Sequence, residues 1–306
     1  MAGDKEEQVV KAVQRMQDYI VRHLQEPITM RQLATVACYS PYHCARMFRE
    51  LTGVPPFEYI RRARLTKSAL VLRDGDRRIL DVALDFVFDS HEGFTRAFSR
   101  EFGVTPKRYA KKPGPVQLFL PYGVEFQHLY KKRHKESLME KAQEKVCVVF
   151  TQVVERPARK LILRRGTKAS DYFEYCEEVG GDVWGLLVSI KEALHEPAGI
   201  WLPPRMRSGG SEYVQGVEVS SSYDGDIPEG FEIIDLPACR MMVFQGEPYD
   251  DVHFEDAICS MQEQLKKFRP ELYGYAWDKD NPRLQLEPQG WRGYIELWSV
   301  KEVQKS

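Results

Sequence analysis

No run of apolar residues in this 306-residue chain approaches the ~20 that a membrane-spanning helix needs, so no membrane span and no membrane partner are expected. The opening residues, Met1 to Gln8, are polar and acidic, with no apolar stretch of the secretory kind, which makes a cytoplasmic location the expectation. Cysteine is sparse and scattered: Cys38, Cys44, Cys147, Cys176, Cys239 and Cys259 form no CxxC pair, and the seven histidines show no zinc spacing. Buried reduced thiols are the expectation, with neither a disulfide framework nor a metal. A Gly-rich phosphate loop and a nucleophilic triad are also missing, so no catalytic residue and no cofactor are assigned. What remains is an ordinary globular composition, 43% hydrophobic and 29% charged, long enough for about two domains. The net charge of −1 hides an asymmetry. Lys and Arg outnumber Asp and Glu by 26 to 18 in residues 1–145, then trail them 18 to 27. A basic half joined to an acidic half points to a polyanion-binding domain beside one with another task.

The basic half repeats itself at an offset of fifty. Ser40, Arg46, Phe48, Gly53, Pro56 and Tyr59 return as Ser90, Arg96, Phe98, Gly103, Pro106 and Tyr109. Register kept over so many unlike residues marks one small helical unit built twice. Val9, Val13, Met16, Ile20 and Leu24 first set out an amphipathic helix over about 6–25, stopped before Pro27. Thr29 with Gln32 fits a capping box opening a short helix. Ser40-Pro41 then opens a second, with Ser at the N-cap and Pro at the first helical position, and Gly53 closes it. Two short helices across a tight turn describe a helix-turn-helix.

In the second helix Cys44, Met47, Phe48 and Leu51 form the inward stripe, while Tyr42, Ala45, Arg46 and Arg49 face out. Such a basic face either reads DNA or is solvated; an outward Arg can bond a guanine edge or hold a phosphate. A longer helix over about 55–73 follows, with Phe57, Ile60, Leu65, Ala69 and Leu72 as its apolar positions. The second unit then presents His91, Glu92, Thr95, Arg96, Ser99 and Arg100 outward, opposite Phe94, Ala97, Phe98 and Phe102. A connecting helix of about 18 residues is about 27 Å long, of the order of one DNA turn. The duplication therefore favours two reading helices in successive major grooves. Because the outward residues differ between the copies, the expected double-stranded DNA site is asymmetric.

These residues carry a family resemblance. Met47-Phe48-Arg49 with Thr52-Gly53, and Phe94 to Phe98 with Phe102-Gly103-Val104-Thr105-Pro106 and Tyr109, resemble the double helix-turn-helix of AraC/XylS transcription regulators. The resemblance implies an all-α DNA-binding domain over 6–112, with Tyr42, Ala45 and Arg46 facing bases in one groove and His91, Glu92, Thr95 and Arg96 in the next. Two positions depart from a simple hydrogen-bonding code: Ala45 reaches only a thymine methyl, and Glu92 must either accept from a cytosine amino group or be held away from phosphate.

Residues 113–145 read as a linker. Val116 to Leu120 is a candidate short strand, and the basic run Lys131 to Lys135 either touches phosphate or is a solvated tether. The acidic half also repeats, at an offset of eighty: Glu155 to Gly166, with Pro157-Ala158, returns as Asp235 to Gly246, with Pro237-Ala238. Strand-like residues precede each copy and helix-like residues follow (171–179 and 183–194; 252–268), with β-like segments near 200–202, 214–219, 284–286 and 294–300. The expectation is an α+β domain of two similar halves, with a ligand cleft at their junction. In the last strand, alternation puts Ile295 and Leu297 on one face and Tyr294, Glu296 and Trp298 on the other. A carboxylate between two aromatics either binds a hydrophobic cation or is the polar side of an exposed strand.

The double Pro-Ala repeat and the closing Tyr294-Ile295-Glu296-Leu297-Trp298 resemble the GyrI-like effector-binding domain, over 146–302. The resemblance implies a drug-like or cationic small-molecule effector in an aromatic pocket around Glu296, to which Trp184, Trp201, Tyr213, Trp277, Tyr294 and Trp298 are assigned. The expected fold is thus multidomain, an all-α double helix-turn-helix followed by an α+β pseudo-twofold domain. The expected function is ligand-responsive transcription regulation, with activation as the expected sense and DNA or RNA polymerase as the partner to which the first domain is presented. The alternatives are a hydrolase of small reactive compounds, with Glu296 and Tyr294 or Tyr213 as acid and base, and a domain that only binds a protein.

Overall fold

The computed structural model describes residues 2–125, 128 and 150–303. The chain forms two units, Met1–Glu140 and Lys141–Ser306. The first holds seven described helices: α1 (Ala2–Arg22), α2 (Met30–Ala37), α3 (Pro41–Thr52), α4 (Pro56–Asp74), α5 (Ile79–Asp85), α6 (His91–Phe102) and α7 (Pro106–Lys111). α1 ends at Arg22, three residues before the expected stop, with a turn carrying Leu24 back into the core. Its stripe is Val10, Val13, Met16 and Ile20, with Val9 only partly buried. The capping box forms: the Thr29 hydroxyl accepts from Gln32 N–H, and Gln32 Oε1 accepts from Thr29 N–H at 2.7 Å. Ser40 and Ser90 cap α3 and α6, and both helices stop at a left-handed glycine, Gly53 (φ 78°) and Gly103 (φ 70°). L-residues avoid that backbone region, which is why glycine stands at both stops.

The inter-helix turns differ from the fifty-residue rule. Each puts a non-glycine residue in the left-handed region, Cys38 (φ 62°) and Val87 (φ 61°). Each is closed by an amide reaching back to a carbonyl, Tyr39 N–H to Ala34 O and Phe88 N–H to Ala83 O. The second turn then has one extra residue, Asp89, before its capping serine. Phe57, expected among the apolar positions of α4, is 54% exposed. It lies in the first turn of α4, and the inward positions there are Tyr59 and Ile60. Val116 to Leu120 does not form a strand. It runs as an extended strap over the helices, with Val116 and Leu118 buried. Phe119 N–H donates to Thr66 Oγ1, and its ring meets Tyr59 edge-on at 5.1 Å. Val124 N–H then donates to Gln17 Oε1. The basic run Lys131 to Lys135 lies outside the described residues.

The second unit is one antiparallel sheet in the order β1-β6-β9-β8-β3-β4-β2-β5, with β7 beside β9. Its strands are β1 (Phe150–Arg156), β2 (Arg159–Arg165), β3 (Ala198–Trp201), β4 (Tyr213–Ser220), β5 (Glu232–Leu236), β6 (Cys239–Gln245), β7 (Tyr275–Trp277), β8 (Arg283–Leu286) and β9 (Ile295–Glu302). Helices α8 (Tyr172–Val179), α9 (Val183–Ser189) and α10 (Phe254–Lys267) complete it. α9 stops short of the expected Leu194, and Ala193 instead bridges to Val219. The eighty-residue repeat becomes two β-β-α-β-β halves, the second with the short extra strand β7, but they exchange their first strands. β1 pairs with β6, from Phe150↔Gln245 to Arg156↔Cys239, and β2 pairs with β5, from Arg159↔Leu236 to Leu163↔Glu232. Nine residues forward from Phe150 to Arg159 match nine back from Gln245 to Leu236, so the two ladders are one continuous ribbon. Proline lacks the amide donor a ladder needs, and the ribbon breaks at Pro157-Ala158 and Pro237-Ala238. Arg159, 1% exposed at its side chain, holds that crossing: it donates to the carbonyls of Pro157 and Pro237 and pairs with Glu218 at 2.6 Å. Strands β3 and β8 join the halves again. On one sheet face Leu161, Leu163, Ile200, Met241, Leu284 and Leu297 make a core drawn from both halves. On the other, α8 and α9 cover one half and α10 covers the other.

Candidate nucleic-acid interface and ligand site

In the helical unit α3 and α6, the second helices of the two copies, are anchored by different chemistry. Arg15 of α1 donates to the carbonyls of Val36 and Ala37, closing the C-terminus of α2. Arg64 of α4 donates to Leu24 O and Glu26 O, which ties α4 to the end of α1. α3 then packs through Cys44, Met47 and Phe48, with Leu51 partly buried. α6 has Glu101 where α3 has Leu51, and Glu101 accepts from Arg62 Nε (2.7 Å) and Arg61 Nη2 (3.3 Å) of α4. The other side of Arg62 stacks 4.3 Å over the Phe119 ring. Glu58, held below its usual pKa by the Arg61 hydrogen bond, extends the same group.

The outward faces are open. Tyr42 is 83% exposed; Arg46, Arg49, His91, Glu92, Arg96 and Arg100 are exposed, and Ala45 and Thr95 are half-buried. Arg46 rests against Glu50 at 3.6 Å and donates to His43 Nδ1 at 3.4 Å. Arg96 has no such partner among the described residues, because Arg100 stands where α3 has Glu50. α4 is 19 residues long, about 28 Å at 1.5 Å per residue.

In the sheet unit the face between the helical layers gathers most of the aromatics assigned to a ligand site. Glu296 is 0% exposed. Tyr294 Oη donates to its Oε1 and Trp298 Nε1 to its Oε2, each at 2.7 Å. Burial and the adjoining carboxylate push the Tyr294 phenol well above its usual pKa. Trp277 packs on Trp298 at 5.0 Å, and Trp201 meets Tyr213 edge-on at 4.9 Å. A cross-strand row links the two groups: Tyr213 lies opposite Trp201, Trp201 opposite Arg283, and Trp298 follows beside Arg283 on β9. Gly199 is required here, since a Cβ would overlap the Tyr213 hydroxyl. Arg283, which sequence reasoning missed, fills the middle of the row. Its guanidinium lies 3.9 Å from the Trp201 ring and 4.7 Å from the Trp298 ring. Alternation on β8, with Leu284 and Leu286 in the core, was the available signal. Trp184, on α9, makes no ring contact with this group among the described residues. A cavity of about 630 Å³ lies elsewhere, lined by Ala158, Arg159, Arg205, Met206, Leu236 and Pro237, and holds none of the assigned residues.

Among known proteins, the helix-turn-helix domain family matches residues 33–112. The regulatory protein SoxS of Salmonella typhimurium is 37% identical over 97 residues, covering 32% of this chain and 91% of that one. The chain belongs to the AraC-type helix-turn-helix family. Another AraC-type relative, the right origin-binding protein of Escherichia coli K12, is 46% identical over 91 residues, 30% of this chain and 32% of that protein. The chain thus spans about a third of the length of the right origin-binding protein. A solved structure of SAV2435 bound to tetraphenylphosphonium covers 50% of this chain at 15% identity, with a TM-score of 0.36.

Proposed function

We propose that this AraC-type chain is a ligand-responsive, sequence-specific DNA-binding regulator, acting as an activator that presents residues 6–112 to DNA or RNA polymerase. The observation that carries the reading is the pair of capped helices, α3 and α6, fixed to α4 with Arg46 and Arg96 at equivalent exposed positions. Residues 146–302 are assigned as a GyrI-like effector-binding domain, with a small-molecule site in the aromatic row beside Glu296. An effector shifts regulation only if it binds the active and inactive arrangements unequally. Hydrolysis is not favoured: both oxygens of Glu296 already accept from Tyr294 and Trp298.

Selection of bound DNA from a random pool tests the reading. The intact protein should recover an asymmetric site spanning two successive major grooves. Arg46→Ala should relax preference at one end and Arg96→Ala at the other, each by about 1–3 kcal/mol at its own base pair. Unchanged preference in both variants would remove the reading-helix assignment. Transcription in vitro that falls on adding the protein would reverse the proposed sense of regulation.

A further inference from the structure

The aromatic row already contains a cation. Arg283 is sandwiched between Trp201 and Trp298, the position an aromatic cage would give to a cationic guest. Both indole rings lie within 5 Å of the guanidinium carbon. Among the described residues no carboxylate lies within 4 Å of it and no hydrogen bond leaves it. Gln285, two residues on and on the same face of β8, is also half-buried without a side-chain hydrogen bond among the described residues. Glu296 does not neutralise Arg283 by contact. Its oxygens hold Tyr294 and Trp298, and the Trp298 bond fixes the indole that stacks on Arg283.

We propose that this row is a receptor for organic anions, in which Arg283 bonds a carboxylate or sulfonate and the aromatic side chains around it border the ligand's apolar body. A guanidinium fork matches a carboxylate with two parallel N–H···O bonds, and the two indoles beside it limit where the fork can move. An organic cation, by contrast, meets the like charge of Arg283 beside the same rings. The inference rests on the effector reading above and narrows it to one charge class.

Calorimetry on the full chain with two planar probes of similar size tests it: 2-naphthoate and N-methylquinolinium. Wild-type protein should bind 2-naphthoate saturably and in preference to N-methylquinolinium. Arg283→Met keeps the stem but removes the charge, and should weaken 2-naphthoate by about tenfold or more while improving the cation. Arg283→Lys should fall between, since an ammonium keeps charge without the planar fork. Near-UV circular dichroism establishes that each variant is folded. If wild-type prefers N-methylquinolinium, and Trp201→Ala abolishes that binding, the effector reading stands and the anion inference is overturned. Unchanged 2-naphthoate affinity in Arg283→Met and Arg283→Lys overturns it equally. If neither probe binds wild-type or any folded variant, the effector reading falls and takes this inference with it.

Discussion

Tyr59 and Tyr109 occupy equivalent places in the two helix-turn-helix copies, yet their hydroxyls meet different surroundings. Tyr59 Oη accepts from Gln17 Nε2 at 3.2 Å, whereas Tyr109 Oη is buried with no hydrogen-bond partner among the described residues. An unpaired buried hydroxyl is a cost, and a paired one contributes about 1 kcal/mol. Tyr109→Phe should therefore be neutral or stabilising by up to about 1 kcal/mol, and Tyr59→Phe destabilising by about as much, read by urea unfolding. Burial raises both phenols to about 12. Because the folded pKa lies above the unfolded value of about 10, their contribution is complete below pH 10 and is lost as pH climbs toward 12. The loss is up to about 3 kcal/mol for each tyrosine, and the double Phe variant should show a shallower alkaline slope, the other raised tyrosines such as Tyr249 keeping their share.

Among the elements, the ribbon crossing depends on a side chain that the repeat does not duplicate. Arg159 has Cys239 as its counterpart eighty residues on, so a single guanidinium serves both Pro-Ala breaks. Arg159→Ala should cost roughly 3–5 kcal/mol, because Glu218 is left buried and loses its 2.6 Å partner, keeping Arg156 at 3.2 Å and His195 at 4.0 Å. The paired change Arg159→Met with Glu218→Leu should cost less than either single change, by unfolding of the full chain. The sequence showed the caps of α2, α3 and α6, the stops at Gly53 and Gly103, and the alternation of β9, since each rests on neighbours within a few residues. It did not show the exchange of β1 and β5 between halves. Hairpin pairing and exchanged pairing bury the same alternate residues, and only long-range register separates them. Arg283 was missed for a related reason: its meaning comes from Trp201 and Trp298 on two other strands. Trp184 was assigned on residue type alone, which carries no information about where α9 places it.

For the molecule as a whole, the stretch first read as linker contributes to the helical unit. Val116, Leu118 and Val124 are buried, and Phe119 joins Tyr59 to Arg62 and so to Glu101 on α6. A fragment of residues 1–125 should exceed one of residues 1–112 in stability by roughly 2–4 kcal/mol, after ordering costs, measured by thermal and urea unfolding. The asymmetry between an apolar seat for α3 and an ionic seat for α6 gives the shorter fragment a second signature. Its α6 end should become more sensitive to salt, because Arg62 loses its ring but keeps its carboxylate. The exchanged ribbon has a consequence for the chain during its synthesis. When β1 leaves the ribosome, its partner β6 is still more than eighty residues from emerging. At about 5–20 residues per second, Val153, Val154 and the edge beside them wait roughly 4–18 s unpaired. The first half of the domain is then an open strand edge looking for a match, and a second nascent chain on the same message carries one. Pausing or crowding translation over residues 166–231 should therefore raise the fraction of this protein that reaches its partner strand on the wrong molecule.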